Sequence, residues 1–392
     1  MMPTIDDALE RLKDYVESAD FAGYDPYDAL NSPVLRSLSF NRKWLRIAFI
    51  QALKSSPLNI RPLLGIRKGW NPKGIGLFLW GYAKLFSLHP PASVRPWIDR
   101  LIDILENTKI PGYSGPCWGY NFDWQSRAFF LPRNTPTVVN TSFVGHALLD
   151  AHITASSSRA LELALPIKDF ILKDINRSEE NGSICLSYSP LDRTMIHNAN
   201  LLGCSLLYRL SRISGEKEPE ETAKAGLAYA LKHQRDDGSW YYAESSYQNW
   251  IDSFHTGFNL QSLLYFLDEG ESGPMASAFR KGLEFYMKNF FLEDGTPKYY
   301  HDRIYPVDIH SAAQAVVVFS RAGSATMSLA RKITEWMIDN LMDDRGYFYF
   351  RKTKTGINRI PYIRWSQAWA FHALTDLLFG ERAGRDEALS KT

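Results

Sequence analysis

Gln234-Arg235-Asp236-Asp237-Gly238-Ser239-Trp240 lies between a helical pattern ending near 233 and another starting near 252. Its Asp-Gly pair marks a turn. Related Gly-led pieces recur at Asn181-Gly182-Ser183, Asp294-Gly295-Thr296 and Arg345-Gly346-Tyr347, usually followed by aromatics and then a helix start. The helix starts align too: Val139-Asn140-Thr141, His197-Asn198-Ala199, Phe254-His255-Thr256, Ile309-His310-Ser311 and Arg364-Trp365-Ser366. Six units of about fifty to seventy residues follow. The links alternate: 54–73, 107–136, 174–195, 234–251, 291–307 and 342–362 are long, whereas Ile213 to Lys217 and Ala322 to Ser324 are short. Antiparallel neighbours joined this way place every long link at one end.

Working outward, apolar residues recur at helical steps over most of the 392 residues, and strand alternation occurs only in pieces such as Tyr347-Phe348-Tyr349-Phe350. The class is all-α. After a leading helix near Asp6 to Ser18, helices are expected at 41–53, 74–86, 93–106, 137–155, 157–173, 196–212, 218–233, 252–267, 275–290, 308–321, 325–341 and 363–379. Those after the long links are rich in Ala, Gly, Ser and Leu, as inner helices would be, and the others carry more charge. Six inner and six outer helices closed into a ring make an (α/α)6 toroid with long hairpin-bearing loops at one end. An open α-solenoid is the alternative. The division expected is an N-terminal helix and extended arm over 1–40, the toroid over 41–380 and a flexible tail over 381–392.

The 234–240 stretch resembles the QxxDGSW repeat of the squalene-cyclase/protein-prenyltransferase superfamily, where the motif ties an outer helix to the following hairpin and so speaks to architecture. With Gly23-Tyr24-Asp25-Pro26-Tyr27-Asp28-Ala29-Leu30 and Trp250-Ile251-Asp252-Ser253-Phe254-His255-Thr256-Gly257, the whole chain also resembles prokaryotic toroids associated with extracellular polysaccharide synthesis. That resemblance implies a role in polysaccharide biosynthesis or modification and brings no catalytic signature.

Composition narrows the chemistry. With 45 Lys+Arg against 43 Asp+Glu the net charge is +2, too balanced for a general nucleic-acid or membrane-surface binder, so any charge asymmetry must be local. Cys117, Cys185 and Cys204 show no CxxC spacing, so neither a disulfide framework nor a thiolate zinc site is encoded. The acidic, amphipathic start lacks a signal-peptide pattern, and no apolar run reaches the ~20 residues of a membrane span. A cytoplasmic protein is expected, without cofactor or metal, its oligomeric state not set by the sequence. The DxDD and DDxxD motifs, HExxH, Walker A, GxGxxG and GxSxG are all missing.

Inner helices starting at the long-link end aim their positive dipole ends into one basin, which prefers anions. The links agree, with 18 Lys+Arg against 13 Asp+Glu. They also hold 23 of the 53 aromatics in about a third of the chain, rings suited to stacking on sugars or enclosing an isoprenoid. Trp118, Tyr120, Asp123, Trp124, Asn140, Asn198, Trp240, Arg303, Arg364 and Trp365 are the candidate substrate-binding residues; a packed loop around Trp118 to Trp124, helix caps at the asparagines and structural ion pairs at the arginines are the plainer readings. Histidine is a poor N-cap, so His255 and His310 at matching positions invite a catalytic reading. Asp252 and Asp308 precede them closely and could orient the imidazoles, or could merely cap the helices. Tyr300 completes the catalytic candidates.

Three functions are compatible. The first is an enzyme acting on an anionic, uronate-containing saccharide, free or lipid-linked, as epimerase, lyase or hydrolase. The second is a terpenoid or prenyl cyclase-like enzyme. The third is a toroid that binds glycan without catalysis.

Overall fold

The computed structural model describes residues 3–390, with side chains from 3 to 384. Its helices are α1 (Ile5–Ser18), α2 (Pro33–Leu38), α3 (Lys43–Ser55), α4 (Pro72–Leu88), α5 (Pro91–Thr108), α6 (Val138–Ala155), α7 (Ser158–Ala164), α8 (Ile167–Lys173), α9 (His197–Ser214), α10 (Lys217–Lys232), α11 (Ser253–Asp268), α12 (Pro274–Phe290), α13 (Ile309–Arg321), α14 (Ser324–Leu341) and α15 (Trp369–Ser390). Short strands decorate the long links: β1 (Trp124–Gln125) pairs with β2 (Phe130–Leu131), and β3 (Arg177–Glu180) with β4 (Ser183–Leu186). The third sheet runs β5 (Val307–Asp308), β6 (Arg351–Lys352), β7 (Ile357–Asn358); all pairings are antiparallel.

Six helices, α4, α6, α9, α11, α13 and α15, pack each on the next, and α15 packs back on α4. The ring therefore closes, which removes the open solenoid. These inner helices are buried almost all round; every residue of α9 from His197 to Ser211 is buried. Outer helices such as α12 bury only a stripe at helical spacing, Met275, Ala278, Phe279, Gly282, Phe285 and Tyr286 among it. Small residues let the inner helices approach: a Cβ on Gly81 would sit 2.6 Å from the Phe371 ring.

The structure departs from expectation at three places. The leading helix α1 is the sixth outer helix, packed on α14 and α15, whereas α3, expected at 41–53 as the first toroid helix, packs instead on the Asp28–Asn31 turn and β1. An amphipathic stripe says that a helix needs a partner, not which one. The helix expected at 157–173 is broken into α7 and α8 at Leu165 and Pro166, because proline cannot donate to the helical ladder. The last helix opens with a π turn, Ile363–Ala368, and continues as α15 to Ser390 through most of the segment expected as a tail; Lys391 and Thr392 lie outside the described residues.

The repeated turn glycines have one physical role. Gly182, Gly238, Gly295 and Gly346 have φ of 80°, 88°, 90° and 92°, a region open to Gly and strained for other residues. In the quoted stretch, Gln234 Nε2 donates to the carbonyls of Gly238 and of Ala278 on α12, both at 2.9 Å, and Trp240 Nε1 donates to Ala230 O at 2.9 Å. The motif thus staples neighbouring outer helices. A Cβ at Gly238 would fall 2.3 Å from Lys281 O, whereas at Gly215, φ 72°, it meets open space. Gly238→Ala is expected to lower unfolding free energy by roughly 1–3 kcal/mol beyond Gly215→Ala in urea titrations.

Candidate active site

The second residue of each inner segment faces the axis: Lys73, Val139, Asn198, Phe254, His310 and Arg364 all line one cavity of about 490 Å³. It opens among the long links, where the inner helices begin, so the positive helix ends meet there as the topology requires. Below it the axis is filled. Trp80 stacks on His372 with centroids 4.6 Å apart, and His146 on Tyr265 at 4.2 Å. A larger, shallower basin of about 1120 Å³ occupies the opposite end, but its cations are already neutralised: Arg209 by Asp150 at 2.6 Å, Arg321 by Asp268 at 2.7 Å and Lys84 by Asp376.

In the upper cavity Asp252 caps α11 and does more. Its Oδ1 accepts from the His255 backbone N–H at 3.0 Å. Its Oδ2 pairs with His255 Nδ1 at 2.7 Å and accepts from Trp250 Nε1 at 2.9 Å. Asp252 is buried, while the His255 side chain is 21% exposed on the cavity wall. Both expected roles of Asp252, cap and imidazole partner, are therefore present.

Asp308 differs. It accepts from the His310 backbone N–H at 3.0 Å and from Trp365 Nε1 at 2.8 Å, touches neither nitrogen of the His310 ring, and does not line the cavity. The expected Asp308–His310 ring pair is corrected to a helix cap, because two residues of separation bring the carboxylate to the backbone and not to the ring. His310 stacks on Phe254 at 4.6 Å and on Trp369 at 4.4 Å, with no protein partner for either ring nitrogen among the described residues. Burial, reinforced by the Lys73 charge, holds it well below the ordinary histidine value, so the ring is neutral. His255 also touches Phe254, at 4.3 Å, so the two imidazoles share one aromatic partner and one cavity.

The other expected residues divide. Tyr120, Trp124, Asn198, Tyr300, Arg364 and Trp365 line the cavity. Trp118, Asp123, Asn140, Trp240 and Arg303 do not. Trp118 is fully buried with Nε1 on Leu105 O at 2.9 Å, and Asp123 ties its own loop by accepting from Arg133 N at 2.7 Å. Asn140, one position past the axial residue of its helix, turns back to Thr137 Oγ1 at 2.8 Å. Trp240 is the outer-helix staple, and Arg303 is an exposed partner of Asp302. Arg364 lines the cavity, but its guanidinium fork is engaged by an internal carboxylate, the structural ion pair of the plainer reading: Asp25 is bound at 2.6 and 2.8 Å.

Two lysines escaped the sequence reading. Lys73 lies in the first turn of α4, its ammonium 4.0 Å from the Phe143 ring centroid and 4.7 Å from that of Phe258, with no ion pair among the described residues. Burial, then the Arg364 charge, holds it well below the ordinary lysine value. Lys54, from α3, donates to Tyr27 Oη at 2.6 Å and is pushed down to about 8 by burial and by Arg351. Pro72 was the signal for Lys73: proline favours the first helical position, which puts Lys73 second, where the axial residue belongs.

One group of metal-type donors exists among the described residues: His197 Nε2 is 2.6 Å and His233 Nδ1 3.2 Å from Glu244 Oε1. His233 Nε2 is also 3.0 Å from Glu180. None of these residues lines the cavity.

No protein-family model matches the chain, and no curated protein matches it in sequence. Solved structures do. A GH76 α-mannanase from Bacteroides thetaiotaomicron superposes with TM-score 0.61 at 14% identity, over 80% of this chain and 88% of that one. A cellobiose 2-epimerase from Spirochaeta thermophila gives 0.59 at 15%, over 80% and 86%. An unsaturated glucuronyl hydrolase specific for heparin gives 0.58 at 12%, over 82% and 89%. At these identities the likeness is one of fold, the (α/α)6 toroid, and it extends over four-fifths of the chain.

Proposed function

We propose that the cavity is the active site of a carbohydrate-active enzyme that moves protons on and off carbon, as an epimerase, isomerase or lyase does, and that its saccharide carries a carboxylate. The observation that supports this most is the Asp252–His255 dyad in a wall with no other acidic side chain among the described residues. Glycoside hydrolysis uses two carboxyl groups roughly 5–10 Å apart. Asp252 is alone, and both its oxygens are engaged by His255 and Trp250.

With Nδ1–H donated to Asp252, the His255 lone pair sits on Nε2, free to act as a base. A hydrogen on the carbon next to a carbonyl or carboxylate passes to it, and the electron pair moves onto that group's oxygen. Lys54 and Arg127, both on the wall, supply positive charge where the oxyanion forms, and Lys73 adds to it once a bound anion draws a proton onto its amine. Tyr300 is the group placed to return a proton, and the neutral His310 ring is placed to hydrogen-bond a sugar hydroxyl. Delivery to the other face gives the epimer, whereas departure of a substituent one carbon away gives an unsaturated sugar.

Thirteen aromatic side chains line the cavity, which would also suit a terpenoid. Against that, Asn198 Oδ1, Gln248 Oε1 and both His310 nitrogens are buried without partners among the described residues, and a hydrocarbon would seal them unpaired. Hydroxyl groups would satisfy them. The names of the neighbouring structures, among them a mannanase, a cellobiose epimerase and a glucuronyl hydrolase, agree with a saccharide.

The test is incubation with reducing disaccharides and uronate-terminated oligosaccharides, read by chromatography and mass spectrometry. Unchanged mass with altered retention, or an unsaturated product, is expected; gain of one water by hydrolysis, or binding without any product, contradicts the proposal. Proton linkage supplies a further prediction. An anionic sugar favours charged lysines, so its affinity falls as pH rises through the Lys54 value of about 8. Calorimetric titration either side of that value should show the drop, and Lys54→Met should flatten it.

A further inference from the structure

No Asp or Glu occurs from Ala29 to Ile98, 70 residues that carry eleven Lys or Arg. The segment includes α2, α3 and the single turn Pro62–Leu64, which pack together around a small core of Ala29, Leu30, Ile50, Leu53 and Ile66, separate from the toroid core. Of the thirteen large apolar side chains exposed among the described residues, seven belong to it. Phe40 is 71%, Trp44 70% and Leu63 87% exposed. In the same segment Arg36, Arg42, Lys43, Arg67 and Lys68 are exposed, with no acidic partner among the described residues. Trp44 lies on the same helical stripe of α3 as Ile47 and Gln51, which with Lys54 line the cavity, so the exposed face adjoins the cavity mouth.

We propose that this arm is a docking face for an anionic lipid bilayer. Exposed bulky apolar groups interspersed with unpaired cations are the composition of an interfacial anchor: the rings and aliphatic chains enter the headgroup boundary and the cations meet lipid phosphates. Either feature alone would be weak. A protein partner of ordinary composition would offer these cations a mixed surface, whereas an anionic bilayer presents a phosphate to each cation that reaches it. Because α3 carries both the anchor face and part of the cavity wall, attachment sets the mouth near the membrane surface. There a saccharide carried on a lipid would be met; this consequence rests on the proposed sugar reading, while the attachment does not.

The test is sedimentation of the full chain with phosphatidylcholine vesicles, with and without phosphatidylglycerol. Binding is expected to the anionic vesicles, weakly or not at all to the neutral ones, and to fall with salt. Each cation near such a surface contributes roughly a fivefold factor in partitioning, so Arg42→Glu with Lys43→Glu should weaken binding by at least roughly 25-fold. Phe40→Ser with Trp44→Ser should weaken it at unchanged charge. All four residues are exposed, so thermal melting should stay at the wild-type value and report intact folding. His255→Ala should bind vesicles like wild type, which separates failure here from failure of the catalytic reading. Wild-type protein left in the supernatant with anionic vesicles, variants that bind undiminished, or a lipid-free dimer abolished by the same substitutions would overturn the proposal.

Discussion

Replacing His255 by Ala should lower kcat by roughly 10²–10⁴-fold, the range for loss of a general base, with little change in KM or melting temperature. Stability should survive because the side chain is partly exposed and contributes no helix cap. Asp252 would still accept from the residue 255 backbone and from Trp250. Asp252→Ala is different in kind. It removes the cap of α11 as well as the imidazole's partner, so unfolding free energy should fall by about 1 kcal/mol alongside activity. Asp252→Asn retains capping capacity and isolates the positioning role: the pH profile of kcat should shift while the melt stays near wild type. His310 offers no such clean separation. It is buried between Phe254 and Trp369, and His310→Ala should reduce melting and turnover together. Steady-state kinetics paired with thermal melts on the four proteins distinguish these outcomes; a fully active His255→Ala would remove that residue from the mechanism.

The second large effect is structural. Asp25→Ala should destabilise the protein by about 3–5 kcal/mol, since it leaves the buried Arg364 guanidinium without its carboxylate. Arg364 is the second residue of the last inner segment, and Asp25 lies on the arm that brings Tyr27 to the cavity. The pair therefore fastens the arm to the ring. Replacing both residues by apolar ones of similar size, Asp25→Leu with Arg364→Met, should recover much of that loss. Chemical denaturation of the single and double variants provides the cycle. An Asp25→Ala protein as stable as wild type would mean that the pair carries little of the fastening.

How far these features were legible follows from how local their causes are. The turn at Gly238 and its counterparts could be read directly, because an Asp-Gly pair followed by a helix start is decided within a few residues. The His255–Asp252 contact was legible for the same reason: three residues at a helix start bring a carboxylate to an imidazole. Ring closure was not local. Helix α1 finds α14 and α15 across more than 300 residues, and nothing in its own stripe distinguishes it from α3. Register mattered most at the cavity. Reading the axial layer through Asn140 missed that the second residue of each inner segment points inward, which places Val139 there and turns Asn140 aside. Beginning the first inner helix at 74 excluded Lys73 by one residue. Trp118 and Trp240 were assigned to a ligand because their abundance is visible in sequence, while the carbonyls of Leu105 and Ala230 that hold them are not. The acid-free segment from 29 to 98 was visible throughout but vanishes into a whole-chain charge of +2.

Proton transfer to carbon at the Asp252–His255 dyad is the claim from which the functional account proceeds, and turnover in deuterated water followed by proton NMR tests it most directly. The account predicts that one carbon-bound hydrogen of the saccharide is replaced by deuterium, or is lost on forming a double bond, and that His255→Ala abolishes the change. Cleavage of a glycosidic bond with every carbon-bound hydrogen retained would contradict it.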